Sequence, residues 1–250
     1  MRLDILTRNN LPYTFENFAA LRLEHELKKL GVHCKRITDL HPYLYEIKKE
    51  RPDWTIAFED LLGWQTPLCD ILALPHFHWE RNSLEGLDHL MRSPHCQIGF
   101  REKVEGIHHL PMPVEKREPL KKIFNQILFL SLDEGNRQFV ESFQSRIDIF
   151  GDHKGKDWLV RLKNREQVYL HMPLPFAEQL RALSMSRFVV MEKTDPLYPF
   201  AIAGDCLPIS GETQMTEEKR RGEVDRLTKM VIPGHSWEEK VQELLRCLSL

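Results

Sequence analysis

The sequence predicts an α/β fold of two consecutive halves, each a parallel sheet flanked by helices. Three observations carry that expectation. Short apolar runs alternate along the chain with stretches of helical spacing. The opening strand, helix and strand fit within about thirty-five residues, so the two strands need a right-handed crossover and pair in parallel. The alternation then restarts after a segment rich in proline and charge.

In chain order, residues 3–7 (LDILT) form an apolar strand running into the loop at 8–12. A helix is expected over residues 14–30, with Thr14 as its N-cap, Ala20, Leu23, Leu27 and Leu30 on one face, and Gly31 as its stop. Residues 32–38 (VHCKRIT) read as the second strand. A helix over 43–50 precedes a third strand at 54–58, with Glu59 and Asp60 just past its end. A fourth strand is placed at 70–75 and runs into the polar-aromatic stretch His76-Phe77-His78-Trp79-Glu80. A short helix at 85–92 and a strand at 96–100 follow, and residues 107–111 close the half. Residues 111–119 (PMPVEKREP) read as a linker, since proline breaks regular ladders and charge keeps the segment solvated. Beyond it, strands are expected at 127–131, 147–150, 168–170, 188–191 and 207–210. Helices are expected at 136–144, 176–184 and 198–203. Residues 215–226 are charged and read as surface. A closing amphipathic helix at 237–248 carries Ser236 as its cap, with Val241, Leu244, Leu245 and Leu248 on one face.

Composition narrows the function classes. With 42% hydrophobic residues the chain has ample apolar surface for folded cores, which excludes a disordered tail protein. A net charge of -2, from 35 Lys+Arg and 37 Asp+Glu, argues against a broadly basic surface, and no nucleic-acid partner is expected. No apolar run is long enough to span a membrane, although peripheral contact stays open. The first seven residues are too short and charged for a secretory leader, and the five cysteines include no CxxC pair, so a cytoplasmic location is expected.

This layout resembles the GT-B architecture of nucleotide-sugar glycosyltransferases, in which two Rossmann-like domains face each other across a cleft. Three stretches carry the resemblance: the opening strand, loop and long helix ending in Leu-Gly; residues 107–114 (IHHLPMPV), similar to the hinge strand before the donor domain; and residues 127–211. That last stretch looks like the donor half of spore-maturation (CgeB-like) or bacterial fucosyltransferase-like enzymes, with residues 198–209 (YPFAIAGDCLPI) resembling the helix-turn-strand beneath the nucleotide. The sequence departs from that pattern at Leu197-Tyr198-Pro199-Phe200, where the family has a helix-start Glu. It also lacks the Tyr-x-Thr-Glu-Lys signature, and Glu192-Lys193 is a remnant of a Phe-Glu-Asn element.

The resemblance implies a compact GT-B-like arrangement: an acceptor-side domain at 1–113, a nucleotide-sugar-side domain at 114–235 and a closing helix at 236–250. It also implies transfer of a sugar from a nucleotide-diphosphate sugar to an acceptor (glycan, lipid or protein), with no cofactor beyond that co-substrate. An inactive binding module of the same fold is the alternative.

In open parallel sheets, ligands collect beyond the C-terminal strand ends, which selects the candidate residues. Diphosphate needs backbone donors and cations, and the loop Gly151-Asp152-His153-Lys154-Gly155-Lys156 either supplies Lys154 and Lys156 for that purpose or is a solvated turn. Glu192 and Lys193 follow a strand and suit ribose hydroxyls and the leaving diphosphate, as do Gly211, Glu212 and Thr213 after the last strand. Candidates for the base that activates the acceptor hydroxyl are Glu59, Asp60, His76 and His78. His76 and His78 alternate and so share a side of extended backbone, but no recognised spacing joins them to other ligands, and no metal is expected. Trp64, Phe77 and Trp79 are either core or an apolar platform for a sugar ring.

Overall fold

The computed structural model describes residues 2–8, 14–63, 66–81, 83–118, 120–129, 145–151, 167–193, 195, 197–210, 215–231 and 236–248. The chain divides into two compact units, Met1–Pro113 with His235–Leu250, and Val114–Gly234.

The first unit runs β1 (Arg2–Leu6), α1 (Phe15–Lys29), β2 (His33–Ile37), α2 (Leu40–Glu46) and β3 (Trp54–Ala57). It continues through the small antiparallel pair β4 (Leu62–Gly63) and β5 (Thr66–Pro67), then α3 (Leu68–Leu72), β6 (His76–Trp79), α4 (Asp88–Met91), β7 (Cys96–Phe100) and β8 (His108–His109). Six strands pair in parallel in the order β2-β1-β3-β6-β7-β8. Thr14 caps α1 by accepting a hydrogen bond from the Asn17 amide, and Gly31 leaves the helix at φ +74°, where only a residue without Cβ is unstrained. Ala19, Ala20, Leu23 and Leu27 are buried along the helix. One side of the sheet carries Leu6, Ile37 and Ala57, packed with Tyr43, Ile47, Leu61 and Leu74. Tyr43 reaches into this layer and donates to Asp4 Oδ2 at 2.9 Å, while Arg2 pairs with the same carboxylate at 3.0 Å. A buried charge on a central strand is tolerated only with such partners.

Two sequence expectations fail here. Residues 70–75 are not a strand: Leu68–Leu72 is helical, and Ala73 breaks out at φ +48°. Arg51 holds that turn by donating to the carbonyls of Leu72 (3.0 Å) and Ala73 (2.7 Å). The fourth strand of the sheet is instead His76–Trp79, with all four residues buried. A short apolar run does not separate a strand from a buried helix, and a strand covered on both faces shows no alternation. Beside it, Gly99 leaves no room for a side chain, since a Cβ there would lie 2.8 Å from the Phe77 ring.

The second unit contains β9 (Phe124–Phe129), β10 (Ile147–Phe150), β11 (Val168–His171), α5 (Phe176–Ser184), β12 (Ser186–Val190), α6 (Tyr198–Ala203), β13 (Leu207–Ile209) and α7 (Glu217–Val231). Its five strands are parallel in the order β11-β10-β9-β12-β13. Leu128, Ile147, Ile149, Val168 and Val190 form one core layer, and Phe188, Tyr198, Ile202, Leu207, Val224 and Leu227 another. The strand expected at 127–131 begins three residues earlier, at Phe124, and the helix expected at 136–144 lies outside the described residues.

The stretch read as surface, 215–226, belongs to α7 and is not all surface, because Arg220 on it is 0% exposed. Its guanidinium donates to the Asp205 carbonyl at 2.7 Å and pairs with Asp205 Oδ2 at 3.0 Å and Glu217 Oε1 at 2.8 Å. Asp205 sits at φ +57° in the turn between α6 and β13, and Lys122 grips the same turn through the Asp205 carbonyl at 2.8 Å. A left-handed non-glycine residue costs about 1–2 kcal/mol, which these charged contacts offset.

The closing helix α8 (Trp237–Cys247) belongs to the first unit. Ser236 and Glu239 form a capping box at its start, and Trp237 meets Trp79 edge-on at 6.1 Å. No helix among the described residues is long and apolar enough to cross a membrane.

Candidate functional site

Both sheets reverse their winding direction, and in such sheets the crevice for a ligand opens beyond the C-terminal strand ends where the order switches. In the first unit that point lies between β1 and β3. Thr7 and Arg8 leave β1 there, Glu59 and Asp60 follow β3, and Glu80 and Arg81 follow the neighbouring β6.

The Arg8 amide donates to Glu59 Oε1, tying the β1 and β3 ends together. Glu59 Oε2 has no hydrogen-bond partner among the described residues. Partial burial pushes the Glu59 carboxyl above the usual carboxylate range, against the pull of the Arg8 amide and charge. A carboxylate held at a strand end with a raised pKa suits a general base. Asp60 is engaged differently: Oδ2 contacts His89 Nε2 at 2.9 Å, and Oδ1 is buried without a hydrogen-bond partner among the described residues. Glu80 uses both oxygens, one against His78 Nε2 at 3.1 Å and one accepting the Arg81 amide at 2.8 Å. The Arg81 guanidinium lies 3.9 Å over the Phe15 ring at the start of α1.

The two histidines part company. His76 opens β6 at the opposite strand end from Glu80, is 5% exposed, and sits with Nδ1 2.8 Å from Thr55 Oγ1. Burial, assisted by the nearby His78, pushes its pKa down to about 3, so it is a neutral structural group at neutral pH. Its expected position beyond the strand end is therefore corrected: the register of β6 puts it at the start. His78 is 1% exposed and sits one step below Glu80, positioning that carboxylate rather than meeting solvent. Phe77 and Trp79 are both 0% exposed, and Trp79 donates to the Leu110 carbonyl at 2.8 Å, which makes them core and removes the sugar-platform reading for this pair. Trp64 lies outside the described residues. Among the described residues no three His, Cys, Asp or Glu side chains gather as a metal site.

In the second unit the switch lies between β9 and β12. Glu192 and Lys193 are exposed just past the end of β12, where the sequence placed them. Lys154, Lys156, Gly211, Glu212 and Thr213 lie outside the described residues. One group has no signal in the sequence: His171, at the end of β11, holds the buried Asp148 at 2.8 Å and stacks on Phe150 with ring centres 4.5 Å apart. Glu80, expected with His76 and His78 after the fourth strand, does stand past a strand end, that of β6.

No family model matches the sequence, and no curated protein matches it. Among solved structures the chain is similar to AviGT4, a glycosyltransferase involved in avilamycin A biosynthesis, with 11% identity and TM-score 0.61 over 100% of this chain and 97% of that one. It is similar to the same degree to the UDP-GlcNAc 2-epimerase of Methanocaldococcus jannaschii in complex with UDP-GlcNAc and UDP: 11% identity and TM-score 0.61 over 100% and 99% of the two chains. An alpha-glucosyltransferase in complex with UDP and a 13-mer DNA matches at 11% identity and TM-score 0.54, over 98% of this chain and 95% of that one. At this identity the likeness concerns the fold: two Rossmann-like parallel sheets flanked by helices, as in GT-B enzymes.

Proposed function

We propose that this chain is a glycosyltransferase that moves a sugar from a nucleotide-diphosphate donor to an acceptor hydroxyl. The observation that carries the reading is the matched placement of charged groups at the two switch points: Glu192 and Lys193 beyond β12, and Arg8, Glu59, Asp60 and Glu80 beyond β1, β3 and β6. In this reading residues 114–235 are the donor side, of the spore-maturation or fucosyltransferase-like kind, and residues 1–113 with the closing helix are the acceptor side. Uridine diphosphate is the donor nucleotide to try first, since two of the similar structures hold it.

The chemistry assigns one task to each group. Glu192 accepts the ribose hydroxyls. Lys193 neutralises the diphosphate as the bond to the sugar breaks, with Lys154, Lys156, Gly211 and Thr213 as further candidates for that contact. Glu212 is a second ribose candidate. Glu59 takes the proton from the attacking acceptor hydroxyl, and burial, which raises its pKa, makes it a better proton acceptor than an ordinary carboxylate. The second reading, a binding module without catalysis, is favoured by Leu197 at the start of α6, which offers no side-chain cap and no carboxylate.

Calorimetry with a panel of nucleoside diphosphates tests the donor assignment. Binding of at least one, weakened about tenfold or more by Glu192→Ala, is expected; no binding of any at millimolar concentration sinks it. Where a diphosphate binds, hydrolysis of the matching nucleotide sugar separates enzyme from module.

A further inference from the structure

On the side of the first sheet that carries His76 and His78, two cysteines from distant parts of the chain meet. Cys69 comes from α3 and is 5% exposed; Cys96 opens β7 and is half-buried. Cys96 pairs in register with His76 across the β6–β7 ladder, and His76 lines the same cavity as Cys69. Ser93 ties the pair together: its hydroxyl is 3.6 Å from Cys69 Sγ, donates to Asp70 Oδ1, and accepts the His95 amide at 3.2 Å, while its carbonyl accepts the Cys96 amide at 3.4 Å. A cavity of about 10 Å³ opens against Cys69, lined also by Thr55, His76, Leu74 and Leu90. That is the space of one water-sized molecule. None of these groups takes part in the proposed transfer.

We infer that Cys69 and Cys96 form an oxidisable dithiol that hydrogen peroxide converts into a disulfide joining α3 to β7. Within the pair the Cys69 thiol is the more acidic, lowered to about 7 chiefly by its contact with Cys96, whose own thiol is raised by the same contact and by burial. The reactive species in such chemistry is the thiolate. The Cys69 sulfur attacks one peroxide oxygen; the O–O bond breaks, and the departing hydroxide takes up a proton to leave as water, giving a sulfenic acid. Cys96 then attacks the Cys69 sulfur. The S–S bond forms, the S–O bond breaks, and the hydroxide leaves with the Cys96 proton as a second water. Two electrons pass from the two thiols to one peroxide, and a thiol reductant reverses the step.

The other three cysteines lack this arrangement. Cys206 is 0% exposed and its thiol is pushed up to about 12 by burial, while Cys34 and Cys247 are also raised by burial.

The test treats the folded full chain with a modest excess of hydrogen peroxide, alkylates it with N-ethylmaleimide in denaturant, and weighs and maps it. Reduced protein takes up five alkyl groups, one per cysteine. Oxidised protein is expected to take up three, with a peptide linking Cys69 to Cys96 and full recovery of five after dithiothreitol. Cys96→Ser should halt at a sulfenic acid on Cys69 that dimedone traps, and Cys69→Ser should abolish the loss of thiols. Five alkylated cysteines after treatment, or a cross-link mapped to any other pair, overturns the inference. Circular dichroism reports whether each variant folds; if either does not, the wild-type peptide map alone decides.

Discussion

Replacing Arg220 with methionine tests the claim that a buried cation fastens α7 to the α6–β13 turn. Methionine keeps most of the volume and removes five charged hydrogen bonds, to the Asp205 carbonyl and carboxylate and to both Glu217 oxygens. Breaking a buried ion pair by removing one partner costs roughly 3–5 kcal/mol. Two features reduce that here. Asp205 and Glu217 retain 26% and 38% exposure, so water partly solvates them, and Lys122 still serves the Asp205 carbonyl. A loss of about 3 kcal/mol follows, or on the order of 10 °C in the melting of the second unit. Urea unfolding and calorimetry of the full chain measure it, with Arg221→Met as the control. Arg221 bonds the same Glu217 at 3.0 Å from an exposed position and should cost under about 0.5 kcal/mol. The acid dependence adds a second readout. Hydrogen bonds from Arg220, with help from Arg221, hold the Glu217 carboxyl down at about 2. A depressed carboxyl contributes stability above its unfolded pKa and loses it as pH falls toward the folded value, so the gap between wild type and variant should narrow between about pH 5 and 2. A variant within about 0.5 kcal/mol of wild type at pH 7 refutes the argument.

Three further outcomes are expected. Gly99→Ala forces a methyl to within 2.8 Å of the buried Phe77 ring and 3.3 Å of Leu110 Cβ, and should cost about 1–3 kcal/mol in urea unfolding; a neutral result means that the ring moves freely. His76 is a base with a depressed pKa, so its neutral form stabilises the fold fully above about pH 6.5, and that support fades as pH falls. His76→Gln should therefore lose about 2 kcal/mol less than wild type between pH 7 and pH 5, and equal losses count against a neutral buried His76. Glu59→Gln keeps the side-chain shape and removes the base: transfer should drop by about 10²–10⁴ while nucleotide affinity stays unchanged, and retained transfer assigns the base elsewhere.

Local signals in the sequence were strong where the chemistry is local. Thr14 and Gly31 bound α1, Ser236 starts α8, and the apolar faces of both helices follow from spacing. Glu59, Asp60, Glu192 and Lys193 were readable as strand-end groups because β3 and β12 both end in apolar runs, residues 56–58 and 188–191. The failures share one cause, which is burial on all sides. His76–Trp79 is a central strand whose two histidines find buried partners in Thr55 and Glu80, so it lacks the apolar run expected of a strand covered on both faces. Arg220 looks like any charge in a charged helix until Asp205, fifteen residues back, is seen to need it. The approach of Cys69 on α3 to the start of β7 is likewise set by tertiary packing and leaves no trace in spacing.

The position of α8 bears on how the molecule is made. The helix completes the first unit, where Trp237 covers Trp79, yet it is translated only after Val114–Gly234. During synthesis the second unit can therefore close on itself while the first still waits for its last piece, with Trp79 uncovered on that flank. Domains usually mature in the order in which they emerge from the ribosome. Here the half that emerges first is the one that matures last.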